Sequence, residues 1–153
     1  MKLSNEIALA KLQLYCVYQD RSHAEVRKKL IALEIYGDDL EEVMSALIQE
    51  KYLDELRYAK SYARGKFYQK KWGRKKIKLN LTRNQVSAYC IRKAMEEIEE
   101  VDYLETLHSL MQKKIDLCRS DSMYVCIQKA QQYCLQKGYE PHLVYEISNE
   151  WKS

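Results

Sequence analysis

The chain has 153 residues, 46% of them apolar and 31% charged, with a net charge of +4. That balance is globular, and no apolar run approaches the roughly 18 residues that would cross a bilayer, so disordered and membrane-spanning classes are excluded. Four Gly and one Pro give too little punctuation for a β-rich fold, and the prevailing Ala, Leu, Lys, Glu, Gln and Arg predict an all-α chain.

The opening stretch, MKLSNEIALAKLQLYCVYQD, sets Ile7, Ala8, Leu12 and Tyr15 on one helical face. Glu6, Lys11 and Gln13 interrupt the continuous apolar core that a signal peptide needs. Ser22 with Glu25 forms a capping box, which satisfies the first free N–H groups of a helix, and Val26, Leu30 and Leu33 follow on its inner face. Asp38 with Glu41 predicts a second box, opening a helix whose buried stripe is Leu40, Val43, Met44 and Leu47. The next helix is expected in DELRYAKSYARGKFYQKK, capped by Asp54, and a later one in VDYLETLHSLMQKKIDLC. Pro141 falls just inside the last helix, where its missing N–H costs nothing.

The layout repeats. Val26, Leu30, Ile35, Leu40, Val43 and Met44 recur with the same spacing as Ile77, Leu81, Val86, Ile91, Ala94 and Met95. A weaker third copy is Ala130, Cys134, Tyr139, Val144, Ile147 and Ser148. Three tandem three-helix repeats follow, over residues 1–50, 51–99 and 100–153. Each is too small to bury a core alone, so stacking into an elongated, curved nine-helix array is expected. A monomer is expected too, because the repeat core consumes the apolar stripes.

Charge is segregated along the chain. From Leu56 to Met95 there is no acidic residue, yet this window holds half of all Lys and Arg. Glu96, Glu97, Glu99, Glu100, Asp102 and Glu105 come directly after it. Solvated helix faces ordinarily mix signs, so the basic run predicts an anionic partner. The candidate binding residues are Arg64, Lys66, Lys70, Lys71, Trp72, Arg74, Lys75, Lys76, Lys78 and Arg83. Aromatic residues among cations can stack on unpaired bases. Tyr58 and Tyr62, however, lie on the apolar stripe and belong to the core, and Trp72 is either a core plug or a contact residue.

Catalytic chemistry is missing from the pattern. Gly73 opens GRKKIKLN, which has no phosphate-cradling arrangement. His23, His108 and His142 stand far apart, without metal-ligand spacing, so neither a metal nor a cofactor is expected. Five Cys without a CxxC pair argue against a disulfide framework, and Cys118, Cys126 and Cys134 read as small buried thiols of a cytoplasmic protein. An enzyme is not expected.

Four elements in this order resemble the RecX family, bacterial regulators of the recombinase RecA. They are RSHAEVRKKL (Arg21 to Leu30), LEEVMSALIQEKYLDELRYAKSYARGK (Leu40 to Lys66), Trp72–Gly73 followed by Arg74, Lys75, Lys76, Ile77 and Leu81, and LQKGYEPHLVYEI (Leu135 to Ile147). The resemblance implies a three-repeat helical array lying in the groove of the RecA–DNA filament, where it slows ATP hydrolysis, strand exchange and coprotease activity. It thus implies RecA nucleoprotein as partner, with single- and double-stranded DNA as further contacts, and a place in DNA repair. A direct nucleic-acid-binding regulator without a filament partner is the alternative. The family's glycine before the third helix of a repeat is here Glu34 and Gln85, surviving only as Gly138. That departure predicts altered turns, with an extra residue outside the left-handed region.

Overall fold

The computed structural model describes residues 3–152, and nine α-helices and no strand occur among them. They are α1 (Asn5–Tyr18), α2 (His23–Ala32), α3 (Gly37–Gln49), α4 (Glu55–Arg64), α5 (Arg74–Arg83), α6 (Ala88–Met95), α7 (Glu100–Leu117), α8 (Met123–Gln136) and α9 (Pro141–Ser148). A π-helical turn, Gly65–Gln69, continues α4, and a 3-10 turn, Asn149–Trp151, follows α9. The all-α expectation holds, and none of the described helices is long and apolar enough to cross a membrane.

The helices gather into two compact units, Met1–Ser61 with Leu81–Ala94, and Tyr62–Asn80 with Met95–Ser153. The middle sequence repeat contributes to both. In the first unit α3 packs against α1 and α2. Its core holds Leu12, Val26, Leu30, Ile35, Met44 and Leu47, each almost fully buried. Burying one such side chain contributes about 1.5–3 kcal/mol, so this stripe is the unit's main source of stability. In the second unit α8 packs against α7 and α9 around Tyr103, Leu107, Met111, Ala130 and Tyr139.

Local signals explain the helix starts. The Ser22 hydroxyl accepts from the Glu25 N–H at 3.0 Å and the Glu25 carboxylate accepts from the Ser22 N–H at 2.9 Å, which is the capping box read from the sequence. Asp54 accepts from the Arg57 N–H at 2.9 Å at the start of α4. The box predicted at Asp38 does not form. Helix α3 begins two residues earlier than that box requires, at Gly37 after Tyr36, with no side-chain cap, and Asp38 and Asp39 face the helix dipole from its first turn. Ile7, expected inside, is exposed, and Cys16 takes its place on the buried stripe beside Ala8 and Leu12.

The helix-two turns correct another expectation. Glu34 (φ 64°), Gln85 (φ 62°) and Gly138 (φ 102°) all occupy the left-handed region, so no residue is added. Each turn carries the same bond pair. Ile35 N–H reaches Leu30 O and Glu34 N–H reaches Ile31 O, and the same bonds link Val86 to Leu81, Gln85 to Thr82, Tyr139 to Cys134 and Gly138 to Leu135. This is the Schellman arrangement, and the residues its longer bond joins, Leu30 and Ile35, Leu81 and Val86, Cys134 and Tyr139, are buried at each turn. The repeat register of the sequence is therefore also a register of backbone conformation.

The cysteines depart from expectation as well. Cys118 is the C-terminal cap of α7 and is only half-buried, and it forms a disulfide with Cys126 in the first turn of α8. The odd cysteine count and the absence of CxxC spacing hid this pair, which the return of α8 alongside α7 brings together. Cys16, Cys90 and Cys134 are buried free thiols. Burial pushes the Cys134 thiol up to about 12, which keeps it protonated and unreactive.

Candidate functional site

The basic stretch starts where α4 changes pitch. The π turn lets the Trp72 N–H reach back to Lys66 O at 3.0 Å, and it seats Phe67 in the core. Phe67, Tyr103 and Tyr139 then stack in succession, with ring centroids 5.6 and 5.0 Å apart. Past the turn, Lys71 takes a left-handed conformation (φ 60°) and the chain enters α5 through Trp72 and Gly73.

At Gly73 the backbone leading into α5 crosses the α8–α9 turn. A Cβ on Gly73 would stand 2.3 Å from Gly138 C and from Tyr139 N, and one on Gly138 would stand 2.4 Å from Lys76 Cβ. No side chain fits either position. The crossing is held by Gly73 N–H to Lys137 O at 2.8 Å and Lys75 N–H to Gly138 O at 2.9 Å. The Tyr139 hydroxyl donates to Lys71 O at 2.9 Å, and the Lys137 ammonium donates to Lys70 O at 2.9 Å. The first amides of α5 are thus committed to protein, and the start of this helix is not an open anion site.

A buried polar cluster locks the same point. The Tyr103 hydroxyl accepts from the Arg74 N–H at 2.9 Å and donates to the Glu140 carboxylate. The Arg74 guanidinium lies 3.8 Å over the Tyr103 ring and donates to Glu140, at 2.9 Å, and to Glu100. Burial opposes charge on Arg74 and Glu140, but the hydrogen bonds between and around them outweigh it. Arg74 is therefore held above its ordinary value and Glu140 below the usual carboxylate range. Burial, helped by the bond to Glu140, drives the Tyr103 phenol well up, and burial does the same to Tyr139.

The predicted binding residues therefore divide. Arg74 serves the internal cluster, and Arg64 pairs with Glu97 at 2.5 Å. Tyr68 donates to Asp102 at 2.8 Å. Part of the acidic run after the basic stretch is thus its own counter-charge, a pairing that no local pattern reveals. Lys66 and Lys76 sit 4.8 and 4.2 Å from the Trp72 ring, which is half-buried, so Trp72 is both partly packed and a platform for two cations. Lys70, Lys71, Lys75 and Lys78 are exposed. Arg83 closes α5 within the first unit, where it lines an open cleft with Lys28 and Ile31. Sequence reasoning missed Tyr103 and Glu140, because their roles depend on contacts with Arg74 far along the chain. No cluster of His, Cys, Asp and Glu able to hold a metal occurs among the described residues.

Residues 54–95 match the second three-helix domain of RecX, and residues 100–147 match its third. The chain belongs to the RecX family. The regulatory protein RecX of Vibrio vulnificus is 34% identical over 98 residues, covering 64% of this chain and 63% of its own. RecX of Oceanobacillus iheyensis is 25% identical over 127 residues, covering 83% of this chain and 47% of its own. The chain spans 47–63% of the length of these two RecX relatives. The crystal structure of RecX from Lactobacillus salivarius is similar with a TM-score of 0.86 and 26% identity, covering 97% of both chains. These RecX relatives are named as regulators and not as enzymes. Both matched domains meet at the Gly73–Gly138 crossing, so the Trp-Gly element and the Lys-Gly-Tyr turn, far apart in sequence, form one structural joint.

Proposed function

We propose that this chain regulates a RecA-type recombinase by binding in the groove of its DNA filament and slowing ATP hydrolysis, strand exchange and coprotease activity. The observation that carries this reading is the row of exposed lysines, Lys70, Lys71, Lys75 and Lys78, borne by the segment anchored at the Gly73–Gly138 crossing. A filament groove offers acidic protein surface and DNA phosphate, and cations of this kind chiefly speed encounter and set register. Trp72, with Lys66 and Lys76 against its ring, is the aromatic anchor of the surface. Residues 1–50 form the first of three such domains, supported by the recurrence of the Schellman turn at Glu34. In this reading the chain works where the recombinase filament forms, in the cytoplasm.

The test is ATP hydrolysis by RecA on single-stranded DNA, titrated with the chain and with its Lys70→Glu, Lys71→Glu, Lys75→Glu triple variant. All three side chains are exposed, so the variant folds. Inhibition is expected well below one copy per recombinase subunit, weakened about tenfold or more in the variant. Equal inhibition by the folded variant removes the lysines from the site. No inhibition, with salt-sensitive binding to bare DNA, supports a plain nucleic-acid-binding regulator instead.

A further inference from the structure

Helix α1 carries two faces. Ala8, Leu12 and Cys16 are buried against the first unit. On the other side, Ile7, Leu14 and Val17 are 51%, 74% and 69% exposed, and Ala10 is exposed between them. A single exposed apolar side chain is ordinary. Here the register is the informative feature. Ile7, Ala10, Leu14 and Val17 alternate in steps of three and four along α1, the a and d spacing of a two-stranded coiled coil, whereas Leu3, before the Ser4 cap, packs against the unit's own core. At about 100° per residue the centre of this seam lies roughly opposite the buried stripe. A helix laid along it therefore meets no part of the unit that α1 packs against. The repeat core thus leaves these apolar positions of α1 uncovered.

The flanking charges select the occupant. With Ile7 and Leu14 at a positions, Glu6 falls at g and Lys11 at e, and both are exposed. In a parallel pair, g of one helix faces the e that follows five residues later on the other. Glu6 of one copy then meets Lys11 of the second, twice by symmetry. An antiparallel pair centred on Ala10 would instead set Lys11 against its own copy. We infer that α1 is a self-association face, forming a parallel two-fold pair with a second copy of this chain through Ile7, Leu14 and Val17, with Glu6–Lys11 pairs fixing the direction. Such an interface is isologous and closes at two copies.

Sedimentation velocity over a wide range of concentration tests this, using the full chain. The parent is expected to shift from monomer to dimer as concentration rises, and Leu14→Glu, at an exposed position, to remain monomeric with an unchanged helical spectrum. Glu6→Lys alone and Lys11→Glu alone are each expected to lose the dimer, since both place like charges together. Mixing those two variants restores it as a heterodimer, because every g–e pair then has opposite signs. Leu14→Cys is expected to cross-link to its own copy on mild oxidation, as only a parallel pair brings the two positions face to face. A parent that stays monomeric throughout overturns the inference. So does a dimer indifferent to Leu14→Glu, or a mixture of the charge variants that fails to associate.

Discussion

The turns at Glu34 and Gly138 have the same left-handed residue, the same Schellman bonds and the same pair of buried flanking positions, yet only one of them is a glycine. At Glu34 the turn borders open space enough for a long charged side chain. At Gly138 the first turn of α5 lies against the backbone, and Lys76 stands where a Cβ would be. Conformation alone therefore does not account for the glycine. A residue other than Gly bears a left-handed φ at a cost of about 1 kcal/mol, which folding absorbs, whereas an atom placed 2.4 Å from another cannot be absorbed without moving the helix. Gly73 makes the same point from the opposite side of the crossing, since its φ is not left-handed and only contact explains it.

The most direct way to break this contrast is to add the missing methyl. Gly73→Ala is expected to destabilise the chain by about 3 kcal/mol or more, since backbone faces backbone there and neither can yield. Gly65→Ala, a helical glycine with nothing within 4 Å of the added carbon, is expected to be neutral or to stabilise by up to about 1 kcal/mol. Urea denaturation of the two variants decides it, and equal losses would deny the crossing its role.

Next in size is the polar lock beside the crossing. Tyr103→Phe removes the hydroxyl that serves both the Arg74 amide and Glu140, and is expected to cost about 1–3 kcal/mol in the same denaturation measurement. The phenols of Tyr103 and Tyr139 are raised, so the stability they confer is fully present below about pH 10 and is lost as pH climbs from there toward their folded values. In an alkaline titration, the slowest-ionising tyrosines should therefore appear together with the loss of helix by circular dichroism. Their ionisation in a folded chain would show the stack to be open to water.

The smallest effect tests the other turn. Glu34→Gly is expected to raise stability by at most about 1 kcal/mol, the relief of backbone strain being partly offset by the greater freedom of an unfolded glycine. A marked loss would mean that the Glu34 side chain is itself a contact.

Much of the molecule was legible because its signals are local. Apolar periodicity, the Ser22–Glu25 box and the Asp54 cap each involve residues within one or two turns, and the six-position register of the repeat predicted where helices begin and turn. Where a local rule failed, a neighbour had overridden it: Asp38 lost its box when α3 began at Gly37, and Ile7 lay outside because Cys16 completed the buried stripe. The candidate site was half legible. Its basic residues could be found by counting charge, but not the split between Arg64 and Arg74, which answer acids of the same chain, and Lys70, Lys71 and Lys75, which face solvent.

The sequence by itself thus determined the helices, their repeat and the one-signed stretch, because periodicity, capping and charge are properties of neighbours along a chain. Tertiary structure alone decided which glycines are indispensable, which cations are already answered, that Cys118 meets Cys126, and that α1 keeps an apolar seam uncovered. Each of these depends on which distant backbone or side chain arrives at a given point, and that is set by packing.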